Sequence, residues 1–452
     1  MTTGNEKKYQ PRYGVMPQDV HSTLSKFMLA DGLDFVLDLD NSRGKFYLDQ
    51  RNGKKFADFF TFFASMPLTL NNPKIANPEF KDYIGQVALN KPSNSDVYTT
   101  HMATFVNTFF KVAVPDYFKY SFYVSGGALA VENALKAAFD WKVQKNIEKG
   151  IQGELGKQII HFKEAFHGRS GYTMSLTNTD PSKINYFPKF DWPRVTTPKL
   201  SFPLTKESLA NTVELEKKAI QEIKDAFNNN KDDIAAIIIE PIQAEGGDNH
   251  FRNEFLKELR VLCDENEALL IFDEVQTGVG ITGTMWAHQQ MEVIPDIMAF
   301  GKKTQVCGIL ATDRMDEVEN NVFHASSRIN STWGGNLTDM VRSTRFFEII
   351  EEDNLISNVK DQGKFLLAKL NEMQGNYSDI ISNARGRGVF CAFDLPDKET
   401  RNKIQEVCFD EGLMILPCGQ RSIRFRPPLD VKKEHLEYGL AILDKAIKKV
   451  LS

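Results

Sequence analysis

From about residue 115 to about residue 330, short apolar runs with few charges alternate with longer amphipathic stretches. The runs cover 120–124, 158–162, 234–239, 268–272 and 297–300. In the stretch 129–142, Val131, Ala134, Leu135, Ala138 and Phe139 recur at i, i+3, i+4, i+7 and i+8, the apolar stripe of a helix. A second such stripe runs through 251–266. Strands that read as unbroken apolar runs, separated by helices, predict a mostly parallel sheet covered on both faces, an α/β fold. Upstream, 34–39 and 45–48 alternate apolar and polar residues around the turn-like Asp40-Asn41-Ser42-Arg43-Gly44, which predicts a hairpin with one buried face. Beyond about residue 345 the pattern changes. A helix over 355–371, an apolar run over 388–393, a helix over 398–411, a strand over 423–426 and a helix from Lys432 predict a smaller α+β domain. The expected division is 1–70, an N-terminal segment packing with the small domain; 71–345, the large domain; and 346–452, the small domain.

Composition narrows the function classes. The 452 residues are 42% hydrophobic, 25% charged and 11% aromatic, ordinary for a soluble globular chain and wrong for collagen, coiled coil or disorder. A net charge of −5 gives no basic footprint for nucleic acid. No apolar run approaches the roughly 18 residues of a membrane span, and the polar start from Met1 to Tyr13 lacks the core of a signal peptide. The 5 cysteines (Cys263, Cys307, Cys391, Cys408, Cys418) form no C-x-x-C, so neither a disulfide framework nor a zinc site is expected. No H-E-x-x-H spacing occurs, and no metal is expected. Free thiols suit a reducing compartment, and the cytoplasm is the expected location.

In a doubly wound sheet, ligands bind beyond the carboxyl ends of the strands. Five segments lie there. Ser125-Gly126-Gly127-Ala128 precedes a helix, and it reads either as a phosphate cradle on the helix N-terminus or as a tight turn. Ala165-Phe166-His167-Gly168-Arg169 offers an aromatic that could stack on a flat cofactor and an arginine fork for a carboxylate, or a surface ion pair. Glu240-Pro241-Ile242-Gln243-Ala244-Glu245-Gly246-Gly247 places two acids in and before a glycine-rich loop; Glu240 could be structural. The apolar run 268–272 drives directly into Asp273, a buried acid that needs a cation opposite it, in a catalytic site or in a plain ion pair. Finally, strand 297–300 delivers Gly301-Lys302-Lys303 to the same edge, where a desolvated lysine becomes a nucleophile able to form a Schiff base and an exposed one is merely solvated. A phosphate cradle, an aromatic stacker, an aspartate for a cation and a lysine for an aldehyde together form the set that pyridoxal 5′-phosphate demands.

The motifs are close enough to place a family. From about residue 20 onward the chain resembles the class III pyridoxal-phosphate aminotransferases of fold type I. The segments Phe272-Asp273-Glu274-Val275-Gln276-Thr277-Gly278 and Ala165-Phe166-His167-Gly168-Arg169 carry that resemblance. Within the family, the stretches 126–136, 300–308 and 423–429 look like the L-lysine 6-aminotransferases, with the 4-aminobutyrate aminotransferases sharing much of the motif around 240–250. The resemblance implies a role for each matching position. Lys302 matches the Schiff-base lysine, with Lys303 as its competitor. Asp273 matches the partner of the ring nitrogen. Phe166 and Val275 match residues on the two ring faces, and Gln276 the hydrogen bond to the ring hydroxyl. Gly127 and Ala128 match phosphate donors, and Thr332 a phosphate ligand lent by a neighbouring subunit, which implies a homodimer with shared sites. Leu129 departs from the pattern, since many members carry an acid there.

The implied reaction is a ping-pong transfer of the ε-amino group of L-lysine to 2-oxoglutarate, giving 2-aminoadipate 6-semialdehyde and glutamate. Arg169 is the expected anchor of the lysine carboxylate. Arg424 is expected to hold the 2-oxoglutarate carboxylate next to the reacting carbon, and Glu245 to neutralise Arg424 while lysine is bound. Alternatives are 4-aminobutyrate, ornithine or acetylornithine as donor. From another class, a non-catalytic binding protein on the same fold remains open.

Overall fold

The computed structural model describes residues 9–451; residues 1–8, which begin the polar N-terminal stretch, and residue 452 lie outside it. The apolar runs are strands of one sheet of 7, in spatial order Phe118–Val124, Cys307–Thr312, Ile297–Phe300, Leu269–Asp273, Ile234–Ile239, Gln158–Phe162 and Arg194–Val195. Their side chains point alternately to two apolar layers, which is why the runs are unbroken. Ile159, Ile238 and Ile271 face Val131, Ala134 and Leu135 of the helix Gly127–Glu148. Ile160, Ile237, Ile239, Leu270 and Phe272 face Leu256 and Leu259 of the helix Asn253–Glu265. All of these side chains are fully buried, each worth about 1.5–3 kcal/mol of burial for a large aliphatic or aromatic group.

One strand breaks the expected parallel pattern. Cys307–Thr312 runs antiparallel to both Ile297–Phe300 and Phe118–Val124. The chain between Phe300 and Cys307 is too short for a crossover, so it can only turn back on itself. It does so through the short 3-10 turn Lys302–Thr304 and a left-handed Gln305, φ 60°.

The smaller sheet joins Ser382–Arg387, Phe390–Asp394, Ser422–Phe425 and Leu416–Cys418, all antiparallel. The helices Leu355–Asn376, Lys398–Asp410 and Lys433–Leu451 accompany it. At the N-terminal end the expected hairpin is displaced. Phe46–Leu48 pairs with Lys55–Asp58 rather than with 34–39, which contributes only the bridge Leu37–Asp49. The far edge of Lys55–Asp58 takes Leu413–Met414 in parallel, so the beginning and end of the chain share a sheet. Burial on both sides explains the preference: Phe56 and Ala57 are 1% exposed, whereas Leu39 remains 62% exposed. All 5 cysteines are unpaired and buried. Among the described residues no helix is long and apolar enough to cross a membrane.

Candidate active site

The carboxyl ends of the sheet strands open onto one cavity of about 870 Å³. Gly127, Ala128, Phe166, Arg169, Glu245, Asp273, Val275, Gln276, Lys302 and Arg424 all line it. They reach it from four strand ends, the loop after Glu240 and the small sheet. Thr332 does not. It is exposed outside the cavity, and its carbonyl accepts from Ser93 Oγ at 2.6 Å.

Two loops close one end of the cavity by direct contact. Gly126 has φ 111°, a conformation that puts the helix Gly127–Glu148 straight after the strand with no side chain capping its first N–H groups. Gly168, φ 120°, lies so close that a Cβ there would stand 2.5 Å from the Ala128 Cβ. Helix N–H groups left uncapped at a cavity wall favour an anion.

Asp273 ends its strand 6% exposed, with Oδ2 paired to His167 Nδ1 at 2.8 Å and Oδ1 accepting from Val275 N at 3.1 Å. The group opposite the acid is therefore an imidazole, while the aspartate's charge partly offsets the lowering of the Lys302 amine. Glu240 also lines the cavity: it is buried, accepts from the Phe166 and Ala244 N–H groups and so ties the two loops together, and burial raises its carboxyl to about 7.

The two neighbouring lysines differ sharply. Lys303 is 2% exposed, and its Nζ donates to the carbonyls of Gln276 at 2.8 Å and Ala64 at 3.2 Å, outside the cavity. Lys302 stands in the cavity with its backbone in the left-handed region, φ 54°. Burial first, then the charges of Arg424 and Arg426, lower its amine to about 8, so a free base is at hand near neutral pH. Its Nζ donates to the Phe63 carbonyl at 3.0 Å. That carbonyl belongs to a turn in which Thr61, Phe62, Phe63 and Ala64 all have φ between 39° and 64°. No glycine relieves this left-handed run, which is held from outside. Thr61 N donates to Asp58 Oδ1, Thr61 Oγ1 to the Arg426 carbonyl, and Gln305 Nε2 to the Ser65 carbonyl.

Two arginines, one in the small-sheet strand Ser422–Phe425 and one just beyond its end, also part company. Arg426 is wholly buried, makes two bonds to Asp248 at 2.6 and 2.9 Å, and lies 3.4 Å over the Phe390 ring. Such a pair is complete. Arg424 is 2% exposed but loosely held, with Glu245 Oε2 and Gln276 Oε1 at 3.4 and 3.3 Å and its buried Nε without a partner. An incompletely paired buried guanidinium facing a cavity is a carboxylate site in waiting.

Sequence reasoning did not single out Phe63, Ser65, Lys183, Gln305 or Cys307, which also line the cavity. The aromatic turn carries no glycine or proline signal, and Lys183 sits in an unremarked loop that begins at Pro181.

Comparison with known proteins agrees with this arrangement. A family model for class III aminotransferases matches residues 28–447. The L-lysine-epsilon aminotransferase of Mycobacterium tuberculosis is 50% identical over 435 residues, 96% of either chain. The mitochondrial 4-aminobutyrate aminotransferase of Rattus norvegicus is 29% identical over 450 residues, 95% of this chain and 88% of its own. A solved lysine aminotransferase from M. tuberculosis, in the internal aldimine form, superposes with a TM-score of 0.94 at 49% identity, covering 96% of this chain and all of its own. With family, fold and strand-end cavity in agreement, the chain belongs to the class III aminotransferases, enzymes that work with pyridoxal 5′-phosphate.

Proposed function

We propose that this chain is an L-lysine 6-aminotransferase, moving the ε-amino group of L-lysine to 2-oxoglutarate and releasing 2-aminoadipate 6-semialdehyde and glutamate. The observation that carries the reading is Arg424, buried on the same cavity as Lys302 and only loosely matched by Glu245. The similarity to named L-lysine-epsilon aminotransferases over nearly the whole chain selects this donor ahead of 4-aminobutyrate, whose transferase is far more distant.

The residues present fit pyridoxal phosphate. Uncapped helix N–H groups at Gly127 and Ala128 would hold the phosphate, Phe166 and Val275 would flank the ring, Asp273 would meet its nitrogen, Gln276 its hydroxyl, and Lys302 its aldehyde. When bound, the cofactor supplies an aldehyde that carries the amino group and a ring that takes up the electron pair left by proton loss. The chain supplies the rest. Lys302 Nζ, kept partly unprotonated, would take the proton from the substrate carbon and pass it to the carbon that carried the aldehyde. Asp273 stays where a positive ring nitrogen needs it, steadied by His167.

Arg169 holds the carboxylate of L-lysine far from the reacting end. At that reacting end lysine brings only methylene groups towards Arg424, so Glu245 masks the guanidinium. 2-Oxoglutarate brings a carboxylate there and displaces Glu245. Unit charges about 4 Å apart attract by roughly 4 kcal/mol at an effective dielectric near 20, and desolvation offsets much of that. An exchange of one acid for another is therefore energetically accessible. The expected result of a donor panel of lysine, ornithine, 4-aminobutyrate and acetylornithine against 2-oxoglutarate is that lysine reacts fastest and yields a product that cyclises. A faster reaction with any other donor would overturn the assignment.

The working unit in this reading is a cytoplasmic homodimer acting on small molecules. The exposure of Thr332, away from its own cavity, supports its being lent to a second copy, and exposed Leu129 and Trp333 would be covered by the same contact. The unpaired cysteines support a reducing compartment. The separate small sheet and the shared terminal sheet support the division into 1–70, 71–345 and 346–452.

A further inference from the structure

Glu245 is claimed by two cations at once. Its Oε1 is bonded to Lys183 Nζ, while Oε2 reaches Arg424 Nη2 only at 3.4 Å. The firm partner is the partly exposed lysine, at 25% side-chain exposure, and the loose one is the buried arginine, at 3%. Lys183 is itself fixed. It ends the short turn Pro181–Lys183, which Asp180 caps by accepting from Ser182 N, and its ammonium stands 5.4 Å over the Phe166 ring. A second cavity of about 460 Å³ shares Phe63, Lys183, Glu245 and Arg424 with the first and adds Lys398, Arg401 and one acid, Asp180, which is already engaged in capping the Pro181–Lys183 turn. Arg401 is 6% exposed, bonds to Asn402 Oδ1 and the Gly419 carbonyl, and pairs with no described carboxylate. A carboxylate leaving Arg424 thus has space to turn into and positive charge to receive it. Without that charge, moving the partly exposed Glu245 carboxylate off a buried arginine would be unfavourable, because the arginine would be left unpaired.

Resting on the reading of Glu245 as the mask of Arg424, we infer that Lys183 is a specificity-determining residue: it draws the Glu245 carboxylate off Arg424 and so opens that guanidinium to the carboxylate of the oxo-acid acceptor. Lysine binding needs the mask in place, whereas acceptor binding needs it removed. Lys183 therefore favours the second half-reaction, and its removal, which leaves the mask on Arg424, should not slow the first.

The test uses the holoenzyme in four variants: Lys183→Met, Lys183→Arg, Glu245→Ala and the double Lys183→Met/Glu245→Ala. Each is measured for KM and kcat with 2-oxoglutarate, for the single-turnover rate with L-lysine, and for calorimetric binding of glutarate, a dicarboxylate lacking the oxo group. Lys183→Met is expected to raise the 2-oxoglutarate KM and the glutarate Kd roughly fivefold, the upper end for a partly exposed ion pair. The lysine half-reaction should hold steady, and Lys183→Arg should restore both constants. In the Glu245→Ala background the Lys183 effect should vanish. Unchanged KM and Kd in Lys183→Met, with donor preference altered in Glu245→Ala, would overturn the inference and leave the mask standing. An undiminished Lys183 effect without Glu245 would also overturn it, by showing direct contact with the acceptor. If Glu245→Ala alters nothing, the mask itself is wrong and the inference falls with it.

Discussion

Lys302 Nζ donates to the carbonyl of Phe63 at 3.0 Å, across the mouth of the cavity and from a backbone that is itself left-handed. The reactive amine and a strained aromatic turn thus hold each other. When Lys302 engages an aldehyde its amine must leave that carbonyl, and the turn keeps its bonds to Asp58, Lys303, Gln305 and the Arg426 carbonyl.

The division of labour between the two lysines gives a first prediction. Lys302→Ala should lower turnover about 10³-fold or more, the scale of losing a general base that is also the covalent anchor. Lys303→Met should instead leave the Gln276 and Ala64 carbonyls unmatched and destabilise the fold by about 1–3 kcal/mol, read as a lower Tm. Borohydride reduction followed by peptide mass analysis should place the cofactor on Lys302.

A second prediction concerns pH. Burial and two arginines lower the Lys302 amine to about 8, so raising pH through that value removes its proton and exposes the nucleophile. Capture of pyridoxal phosphate by cofactor-free protein should therefore quicken from pH 7 to about 8 and then level off. An ordinary lysine, titrating near 10.4, would keep gaining about tenfold per pH unit through that range. The rate of absorbance change on mixing distinguishes the two.

Removing the mask should blur donor choice. In Glu245→Ala, Arg424 keeps only its loose contact with Gln276 and is never masked by an acid, so glutamate and other α-amino donors should gain on L-lysine by roughly fivefold to tenfold in relative kcat/KM. Unchanged selectivity in a competition assay would sink the masking role.

Gly168→Ala tests the loop contact behind the helix N-terminus. The added methyl would meet Ala128 at 2.5 Å in a backbone region L residues avoid, a cost of about 1–3 kcal/mol. Lower Tm and loss of cofactor on dialysis are the expected outcomes.

How much of this was legible in the chain follows from where the information sits. Asp273 and Lys302 stand at the ends of apolar runs, so strand, strand end and chemistry could be read together. The alternation of Ile237, Ile238 and Ile239 between two buried layers is what made those runs unbroken. By contrast, the antiparallel Cys307–Thr312 follows from the shortness of the turn before it, which looked like the tail of the lysine motif. The turn at Thr61–Ala64 is left-handed because groups from elsewhere in the chain hold it, and nothing in Thr-Phe-Phe-Ala announces that. Lys183 acquires its place only because the loop after Asp180 folds over Phe166. The hairpin is displaced because Phe46–Leu48 takes Lys55–Asp58 as its neighbour, whose Phe56 and Ala57 are fully buried while Leu39 stays exposed.

That terminal sheet governs when the protein can first work. Leu413 and Met414 must emerge before Lys55–Asp58 gains its second neighbour, and Arg426 must emerge before Thr61 finds the carbonyl that fixes it. Contacts spanning nearly the full length form late. A ribosome-bound nascent chain that has not yet reached Arg426 therefore lacks what fixes one wall of the reaction chamber.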